Sequence, residues 1–424
     1  MKDPRQISMD AYDYALPDER IARYPLEERD QSKLLQYDAG KISDHHFHEL
    51  PELLPAGSLL LANRTRVIHA RIRFQLPNEK WIEVFCLAPL QPAEHQLSLS
   101  SQEPVRWSCL IGGNRKWKSG HAELKLERPA QESLTLFIDR VDRREGGSFS
   151  VDFRWSDPRL SWGEVLVLIG QIPLPPYLGR DAETKDQTRY QTVFAKQQGS
   201  VAAPTAGLHF TPNVLERLKA ADCQWAELVL HVGAGTFKPV SRDTLDGHDM
   251  HQEYVEVQID VLRLIHKQLE SGKPLICVGT TSLRSLESCY QLGRLASVDK
   301  LKFEQEKSPV VYLDQWAALS NLAPNVEPLS AIKSLISAME SQEIDMLRVQ
   351  TKLIIAPGIP PATADAILTN FHQPRSTLLL IIAAMTGEDW KKIYAHALNR
   401  GYRFLSYGDS SLLWNKNKSG PKLT

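Results

Sequence analysis

Two histidines stand in motifs whose residue types suit proton transfer and ligand binding. In SVAAPTAGLHFT, a proline and a glycine constrain a turn that presents Thr205 and His209. In AELVLHVGAGTFKPV, an apolar run predicts a buried strand that delivers His231 and then opens into Gly233 and Gly235. Glycines there let backbone N–H groups approach a ligand closely. Each motif alone is as typical of a turn with a buried histidine as of a ligand-binding site. Together the two motifs predict two edges of one pocket, joined by a helix.

A third group of polar residues precedes an alternating strand in GHDMHQEYVEVQID. On an extended chain His251 and Glu253 point to the same face, so the pair suits an acid–base couple or, with His248, a zinc site. The chain lacks the HExxH spacing of helical zinc sites, and the same set suits a hydrogen-bonded network around an organic substrate. We therefore predict no metal here and keep a metal-dependent hydrolase as an alternative.

Three later segments repeat one pattern, in which a few polar residues follow an apolar strand and precede a helix. They are PLICVGTTSLRSLES, DAILTNFHQPRSTLLLIIAAMTG and YRFLSYGDSSLLW. The repetition predicts an α/β domain with parallel or mixed strands, in which ligands bind beyond the carboxyl ends of the strands. A helix that opens after Val278 would offer free N–H groups to an anion. The candidate binding residues of these turns are Thr280, Thr281, Arg284, Asn370, His372, Arg375, Tyr407 and Asp409.

Short period-two stretches such as WIEVFCLA and LTLFIDRV fill the region from Arg71 to Arg154, separated by Pro, Gly and Asn clusters. Even spacing of short strands is typical of a small antiparallel barrel. We therefore predict a β-barrel domain over 71–154, inserted into an α/β main domain made of 1–70 and 155–424. Helical spacing of apolar residues predicts a helical insertion in the main domain near 291–351.

Composition and charge narrow the class of protein. The 424 residues carry a net charge of −1, which argues against non-specific coating of nucleic acid but leaves room for a local basic surface. Arg66, Arg115 and Lys116 are candidates for such a surface, and they suit a solvated face equally well. Five cysteines without a CxxC spacing fit a reducing compartment. A polar N-terminus and no apolar run long enough for a bilayer predict a cytoplasmic protein without a membrane partner.

These motifs, together with YDYALPDERIARYPLEERDQSKLL, GQIPLPPYLGR and DQTRYQTVFA, carry a resemblance almost from end to end. In this order they resemble the S-adenosylmethionine:tRNA ribosyltransferase-isomerase family of queuosine biosynthesis. The resemblance implies that the ribosyl part of S-adenosylmethionine is transferred to 7-aminomethyl-7-deazaguanine at the tRNA wobble position and isomerised, giving epoxyqueuosine, adenine and methionine. It also implies a mixed-sheet, barrel-like α/β domain that carries a small antiparallel β-barrel.

The implied reaction needs a base beside the sulfonium, an acid for the departing purine and polar groups for the sugar. S-adenosylmethionine would be a substrate, no cofactor or metal is expected, and the protein is expected to act on tRNA as a monomer. The catalytic candidates are His209, His231, His251, Glu253 and His372. The substrate-binding candidates are Thr205, Gly233, Gly235, Thr280, Thr281, Arg284, Asn370, Arg375, Tyr407 and Asp409, and the tRNA-binding candidates are Arg66, Arg115 and Lys116.

The sequence also departs from the family pattern. Arg64 stands where the family usually has an acidic residue, and TKLIIAPG replaces an aromatic-rich segment. A third departure is the path between the SLRSLES and NFH blocks, which is shorter in the family. The last two departures keep open a paralogue with a shifted substrate, and the basic loops of the β-domain keep open a non-catalytic tRNA-binding protein.

Overall fold

The computed structural model describes residues 3–76, 79–117, 121–129, 132–233, 242–303 and 309–418. These residues form a ten-stranded mixed sheet, a six-stranded antiparallel sheet and a two-stranded parallel pair. The predicted fold class, an α/β mixed-sheet domain with an inserted antiparallel β-barrel, is confirmed. No helix in these ranges is both long and apolar enough to cross a membrane.

The strands and helices are numbered along the chain. The strands are β1 Lys33–Asp38, β2 Lys41–His46, β3 Leu59–Asn63, β4 Thr65–Val67, β5 Arg71–Gln75, β6 Trp81–Gln91, β7 Val105–Gly112, β8 His121–Leu126, β9 Leu134–Arg143, β10 Phe149–Trp155, β11 Gln197–Ser200, β12 Gln224–His231, β13 Glu253–Gln258, β14 Leu275–Val278, β15 Val310–Leu313, β16 Met346–Thr351, β17 Ala366–Asn370 and β18 Ser410–Trp414. The helices are α1 Leu50–Leu53, α2 His95–Ser100, α3 Trp162–Ile169, α4 Asp186–Arg189, α5 Pro212–Ala220, α6 Ile259–Ser271, α7 Gly279–Ala296, α8 Pro328–Glu340, α9 Thr377–Thr386 and α10 Trp390–Asn399.

The main sheet has the strand order β15-β16-β13-β12-β3-β14-β17-β18-β1-β2. Its centre, β12-β3-β14-β17, is parallel at every step. Every residue of β3, β14 and β17 is buried, which explains why these strands read as continuous apolar runs. Because the four strands are parallel, their carboxyl ends meet at one edge, and the turns that follow them lie side by side.

The second sheet has the order β5-β6-β7-β10-β9-β8 and is antiparallel throughout. Its two end strands, β5 and β8, also lie close together, so the sheet nearly closes on itself. Buried residues alternate with half-buried ones along β7, and Trp107, Leu136 and Phe153 belong to the interior cluster. This alternation is typical of a small barrel filled by side chains. The six strands run from Arg71 to Trp155, and the division of the chain into two domains stays a prediction.

The segment near 291–351 contains more than the helical insertion predicted from its periodicity. It holds the end of α7 and the whole of α8, but also β15 and β16, which extend the main sheet beyond β13. The apolar spacing of α8 was visible in the sequence, whereas the two short strands gained their place by pairing with distant residues.

Helix α7 is buried along most of its length and packs against α8. The two helices meet at Gly293, where an added methyl group would lie 2.2 Å from the carbonyl oxygen of Ala331. No side chain can occupy that position unless the helices separate.

We expect Gly293→Ala to lower the melting temperature, because overpacking of about 1–3 kcal/mol outweighs the roughly 1 kcal/mol that alanine adds to helix propensity. Calorimetry would measure the shift. Gly112→Ala is the control, since the nearest atom to its added methyl group is at an ordinary 3.4 Å. Equal melting temperatures for Gly293→Ala and the wild type would contradict this packing.

Candidate active site

A cleft that is partly open to solvent lies at the carboxyl edge of the parallel strands. Val232 follows β12, Gly279 follows β14 and Phe371 follows β17, and all three line the cleft. The 3-10 turn Thr205–His209 and the first turn of α9 supply other walls. Residues that follow three of the parallel strands therefore line one cleft.

The start of α7 forms one wall of the cleft. No side chain caps this helix, and the Ser282 hydroxyl donates to the carbonyl of Val278 at 2.8 Å. Thr280 and Thr281 line the cleft, and the buried hydroxyl of Thr281 has no hydrogen-bond partner among the described residues. An uncapped helix N-terminus beside a spare hydroxyl favours an anionic ligand.

Asn370 is 2% exposed and is one of the residues that line the cleft. Its Nδ2 atom lies 3.2 Å from the carbonyl oxygen of Leu405 and 3.2 Å from Nε2 of His209. A carbonyl only accepts hydrogen bonds, so the amide nitrogen must face Leu405 and the orientation of the amide is fixed. The amide oxygen is then left without a partner in the described structure, as an acceptor for a hydroxyl or amino group.

The same geometry fixes the proton on His209. Because the amide of Asn370 donates, Nε2 of His209 accepts, and the proton sits on Nδ1, 2.9 Å from the Ser32 hydroxyl. Burial, and to a smaller extent the charges of Arg403 and Arg29, lower the pKa of His209 to about 3, so the ring is neutral near pH 7. His209 thus holds Asn370 in place and is not itself among the described residues that line the cleft.

His372 lines the cleft directly. Its Nε2 lies 3.0 Å from the Thr369 hydroxyl, and its backbone N–H donates to the hydroxyl of Tyr394 at 3.1 Å. Burial lowers the pKa of His372 to about 3, so the imidazole is neutral near pH 7. Of the predicted catalytic residues, this is the one that the described structure places on the cleft wall.

His231 is not among the described residues that line the cleft, although its neighbour Val232 is. The imidazole is 5% exposed and stacks on His95 of α2, with ring centroids 3.8 Å apart and planes 1° apart. Successive residues of a strand point to opposite faces, which explains how one residue reaches the cleft and the next does not. The expectation that His231 shares this cleft is not met among the described lining residues.

Glu253 and Arg284 form a buried ion pair, with Oε2 and Nη1 2.5 Å apart. Neither residue is among those that line the cleft in the described structure, and the pair instead joins the start of β13 to α7. His251 is half-buried just before β13. In the described ranges no three His, Cys, Asp or Glu side chains are grouped so that they could hold a metal, so the hydrolase alternative built on these residues and His248 gains no support.

Three of the predicted binding residues have structural partners instead of facing the cleft. Arg375 has a positive φ of 53° and forms an ion pair with Asp10. The Tyr407 hydroxyl donates to Asp186 at 2.8 Å. The carboxylate of Asp409 accepts from the backbone N–H groups of Lys33 and Arg403.

Two glycines and a threonine complete the predicted set around the cleft. Thr205 lines the cleft, and Gly233 directly follows its wall residue Val232. Gly235 lies outside the described residues.

The predicted tRNA-binding residues lie at the surface. Arg66 is exposed on β4, and Arg115 and Lys116 are exposed in a turn after β7. Arg115 shares a shallow depression of the barrel with Arg140 and Arg143. This cluster of arginines gives the face of the barrel a local positive charge, although the net charge of the whole chain is only −1.

Sequence reasoning missed six polar residues of the described cleft lining, which are Tyr177, Thr369, Gln373, Ser376, Thr377 and Ser406. The Tyr177 hydroxyl lies 2.6 Å from the Ser406 hydroxyl, which joins two distant segments across one wall. Thr369 directly precedes the predicted Asn370, and Tyr177 lies in the motif GQIPLPPYLGR. Both residues could therefore have been predicted from their place in or beside these motifs. No local signal marked the contact between them and the cleft.

Comparisons with known proteins agree along the whole chain. A family described as "Queuosine biosynthesis protein" matches residues 9–413. An S-adenosylmethionine:tRNA ribosyltransferase-isomerase from Magnetococcus marinus is 35% identical over 404 residues, covering 95% of this chain and 93% of that protein. The protein of that name from Rhizobium etli is 33% identical over 430 residues, which cover 97% of this chain and 100% of that protein. A crystal structure of S-adenosylmethionine tRNA ribosyltransferase from Thermotoga maritima matches with a TM-score of 0.44 at 26% identity, covering 95% of this chain and 99% of that one.

The buried histidines predict an acid-sensitive fold. Burial lowers the pKa of His231 to about 4, against a smaller opposite effect of the Gly199 backbone. Between its ordinary value of 6.5 and about 4 the unfolded chain binds a proton that the folded chain does not, so stability falls as pH falls through this window. We expect His231→Gln to make the pH dependence of the unfolding free energy shallower by up to about 1.4 kcal/mol per pH unit.

Denaturant unfolding at a series of pH values would measure this slope. His121→Gln is the matched control, because His121 is exposed on β8 and the substitution should leave the slope unchanged. A slope in His231→Gln equal to that of the wild type would show that the ring titrates normally in the folded protein.

Proposed function

The chain belongs to the S-adenosylmethionine:tRNA ribosyltransferase-isomerase family of queuosine biosynthesis, and we propose that its active site is the cleft at the carboxyl ends of β12, β14 and β17. The enzyme transfers the ribosyl moiety of S-adenosylmethionine to 7-aminomethyl-7-deazaguanine at the tRNA wobble position and isomerises it to epoxyqueuosine, with release of adenine and methionine. The observation that supports this location is the pair of buried, unpartnered polar atoms, Thr281 Oγ1 and Asn370 Oδ1, on walls of one cleft.

The methionine end of S-adenosylmethionine carries a carboxylate, for which the start of α7 is suited. Free N–H groups of the first turn and the Thr281 hydroxyl would donate to its oxygens, and the positive end of the helix dipole would favour its charge. Thr280, on the same turn, lines the cleft beside it. The sulfonium and ribose would then extend toward β17.

The ribose carries hydroxyl groups that need acceptors, and Asn370 Oδ1 is one. Since its amide nitrogen is held by Leu405 and His209, this oxygen is aimed without any rearrangement when substrate binds. A pre-aligned acceptor of this kind lowers the entropic cost of placing the sugar. His209 acts in this proposal as a positioning residue.

His372 is our proposed proton acceptor for the carbon next to the sulfonium. Its neutral imidazole lies on the cleft wall and its Nε2 is oriented by the Thr369 hydroxyl. The remaining predicted catalytic residues, His231, His251 and Glu253, stay predictions, and none of them is among the described residues that line the cleft.

S-adenosylmethionine and tRNA are the partners of this family, and we propose that no cofactor or metal takes part. We further propose that the chain works as a monomer in the cytoplasm, where its tRNA substrate is found. We also propose that tRNA contacts Arg66 and the barrel turn that contains Arg115 and Lys116. The exposed position of these three side chains supports the last point. The shifted-substrate, hydrolase and non-catalytic alternatives gain no support.

Incubation with S-adenosylmethionine and tRNA that carries the deazaguanine precursor should release adenine and methionine in equal amounts. Thr281→Val keeps the shape of the side chain but removes the hydroxyl, so we expect the KM for S-adenosylmethionine to rise by roughly 10-fold to 100-fold, the value of a hydrogen bond to a charged group. Thr281→Ser restores the hydroxyl and should restore the KM. An unchanged KM in Thr281→Val would place the carboxylate elsewhere, and no adenine from the wild type would contradict the function itself.

Binding of tRNA should weaken with salt, because phosphate contacts release counterions. Charge reversal of Arg66, or of Arg115 with Lys116, should reduce the slope of log Kd against log salt by roughly 0.7–0.9 per lost contact and leave S-adenosylmethionine binding unchanged. Lys333→Glu, on an exposed position of α8, is the control for net charge. Equal slopes in all variants would move the tRNA surface away from these residues.

A further inference from the structure

A second, smaller pocket shares the wall residue Ser406 with the cleft. Three arginines, Arg29, Arg189 and Arg403, line this arginine pocket together with His209. They come from distant parts of the chain, since Arg29 lies before β1, Arg189 ends α4 and Arg403 precedes β18. The fold therefore gathers three guanidinium groups that the sequence keeps apart.

The protein holds these guanidinium groups mainly through carbonyl oxygens. Arg29 donates to the carbonyl of Gln191 at 3.1 Å, and Arg189 donates to the carbonyls of Glu27, at 2.8 Å, and Leu26. Carbonyls orient a guanidinium but carry no negative charge to balance it. The side chains are thus anchored while their charges remain.

Carboxylates balance the arginine pocket only in part. No Asp or Glu is among the described residues that line it. Arg403 lies 3.3 Å from Asp409, a carboxylate already bound by two backbone N–H groups. Buried Nε of Arg189 has no hydrogen-bond partner in the described structure. Burial and the nearby charge of Arg189 lower the pKa of Arg29, against smaller opposite effects of Tyr407 and Asp30.

The arginine pocket is connected to the proposed active site. His209 lines the pocket, and its Nε2 accepts from Asn370, which lines the cleft. Ser406 lines both and bonds to Tyr177 of the cleft wall. Only one layer of side chains therefore separates an anion among the arginines from a substrate in the cleft.

We propose that the arginine pocket binds a backbone phosphate of the tRNA next to the nucleotide that is modified. This inference rests on the proposed function, which places the wobble nucleotide in the cleft. Arginine offers paired N–H donors that match phosphate oxygens, and a phosphate supplies the negative charge that the pocket lacks. The other anion of the reaction is the methionine carboxylate, for which we have proposed a different binding site, the start of α7.

The test is a double-mutant cycle that combines the substitution of one arginine with the neutralisation of one RNA phosphate. Binding of an anticodon stem-loop RNA with the deazaguanine precursor is measured for the wild type, Arg29→Gln and Arg29→Lys, with single neutral methylphosphonates at each position around the wobble nucleotide. Arg23→Gln is the control, because Arg23 lies in the same segment but pairs with Asp18 at the surface. Melting temperatures and S-adenosylmethionine Kd values are recorded for every variant, and Arg403→Gln repeats the cycle if Arg29→Gln does not fold.

We expect Arg29→Gln to bind the RNA about 10-fold to 100-fold more weakly, with partial recovery in Arg29→Lys and little change in Arg23→Gln. One methylphosphonate should weaken binding to the wild type and have no further effect in Arg29→Gln. The proposal is overturned if every methylphosphonate acts equally in both proteins, or if Arg29→Gln loses affinity for S-adenosylmethionine and not for RNA. Failure of the proposed function is distinct, because the wild type would then bind RNA without releasing adenine.

Discussion

The position of helix α7 is the constraint on which the cleft depends. Its first turn forms one wall of the cleft, and polar contacts tie its later turns into the core. Arg284 pairs with Glu253, and Glu287 accepts from the backbone N–H groups of Ala362 and Thr363 at 3.0 and 2.8 Å. These bonds connect α7 to β13 and to the segment before β17, so the helix cannot slide relative to the strands whose ends form the site.

Such buried contacts divide the polar residues of the core into two groups. In the first group the charges are paired, and loss of one partner of a buried ion pair such as Glu253–Arg284 costs about 3–5 kcal/mol because it leaves a buried charge unpaired. In the second group, which includes Thr281 and Asn370, an atom is buried and unmatched in the described structure. A buried polar atom without a hydrogen-bond partner destabilises the folded protein, and a ligand that forms the missing hydrogen bond removes this cost. Their place beside the cleft is therefore a stronger indication of function than the residue types alone.

The sequence was sufficient for the fold class and for the meeting of the turns after β12, β14 and β17, because continuous apolar runs followed by polar turns are typical of parallel strands. It was not sufficient for the direction of single side chains. His231 and Val232 are neighbours, and only pairing with the rest of the fold decides which one faces the cleft. Arg64, a departure from the family pattern, lies 3.8 Å from Glu227 and is not among the described residues that line the cleft. Its effect on the site could not be judged without the structure.

One loop, 403–409, carries residues of both the cleft and the arginine pocket. Asp409 fixes its end to the N–H groups of Lys33 and Arg403, and Leu405 within it adopts a positive φ of 69°, which a non-glycine residue keeps only where its surroundings hold it. The loop therefore holds Ser406 of the cleft and Arg403 of the arginine pocket at a fixed separation. A free deazaguanine base could occupy the cleft alone, whereas a nucleotide within RNA joins base and phosphate covalently and can satisfy both sites at once. Selection of tRNA over the free base would then follow from the spacing that this loop maintains.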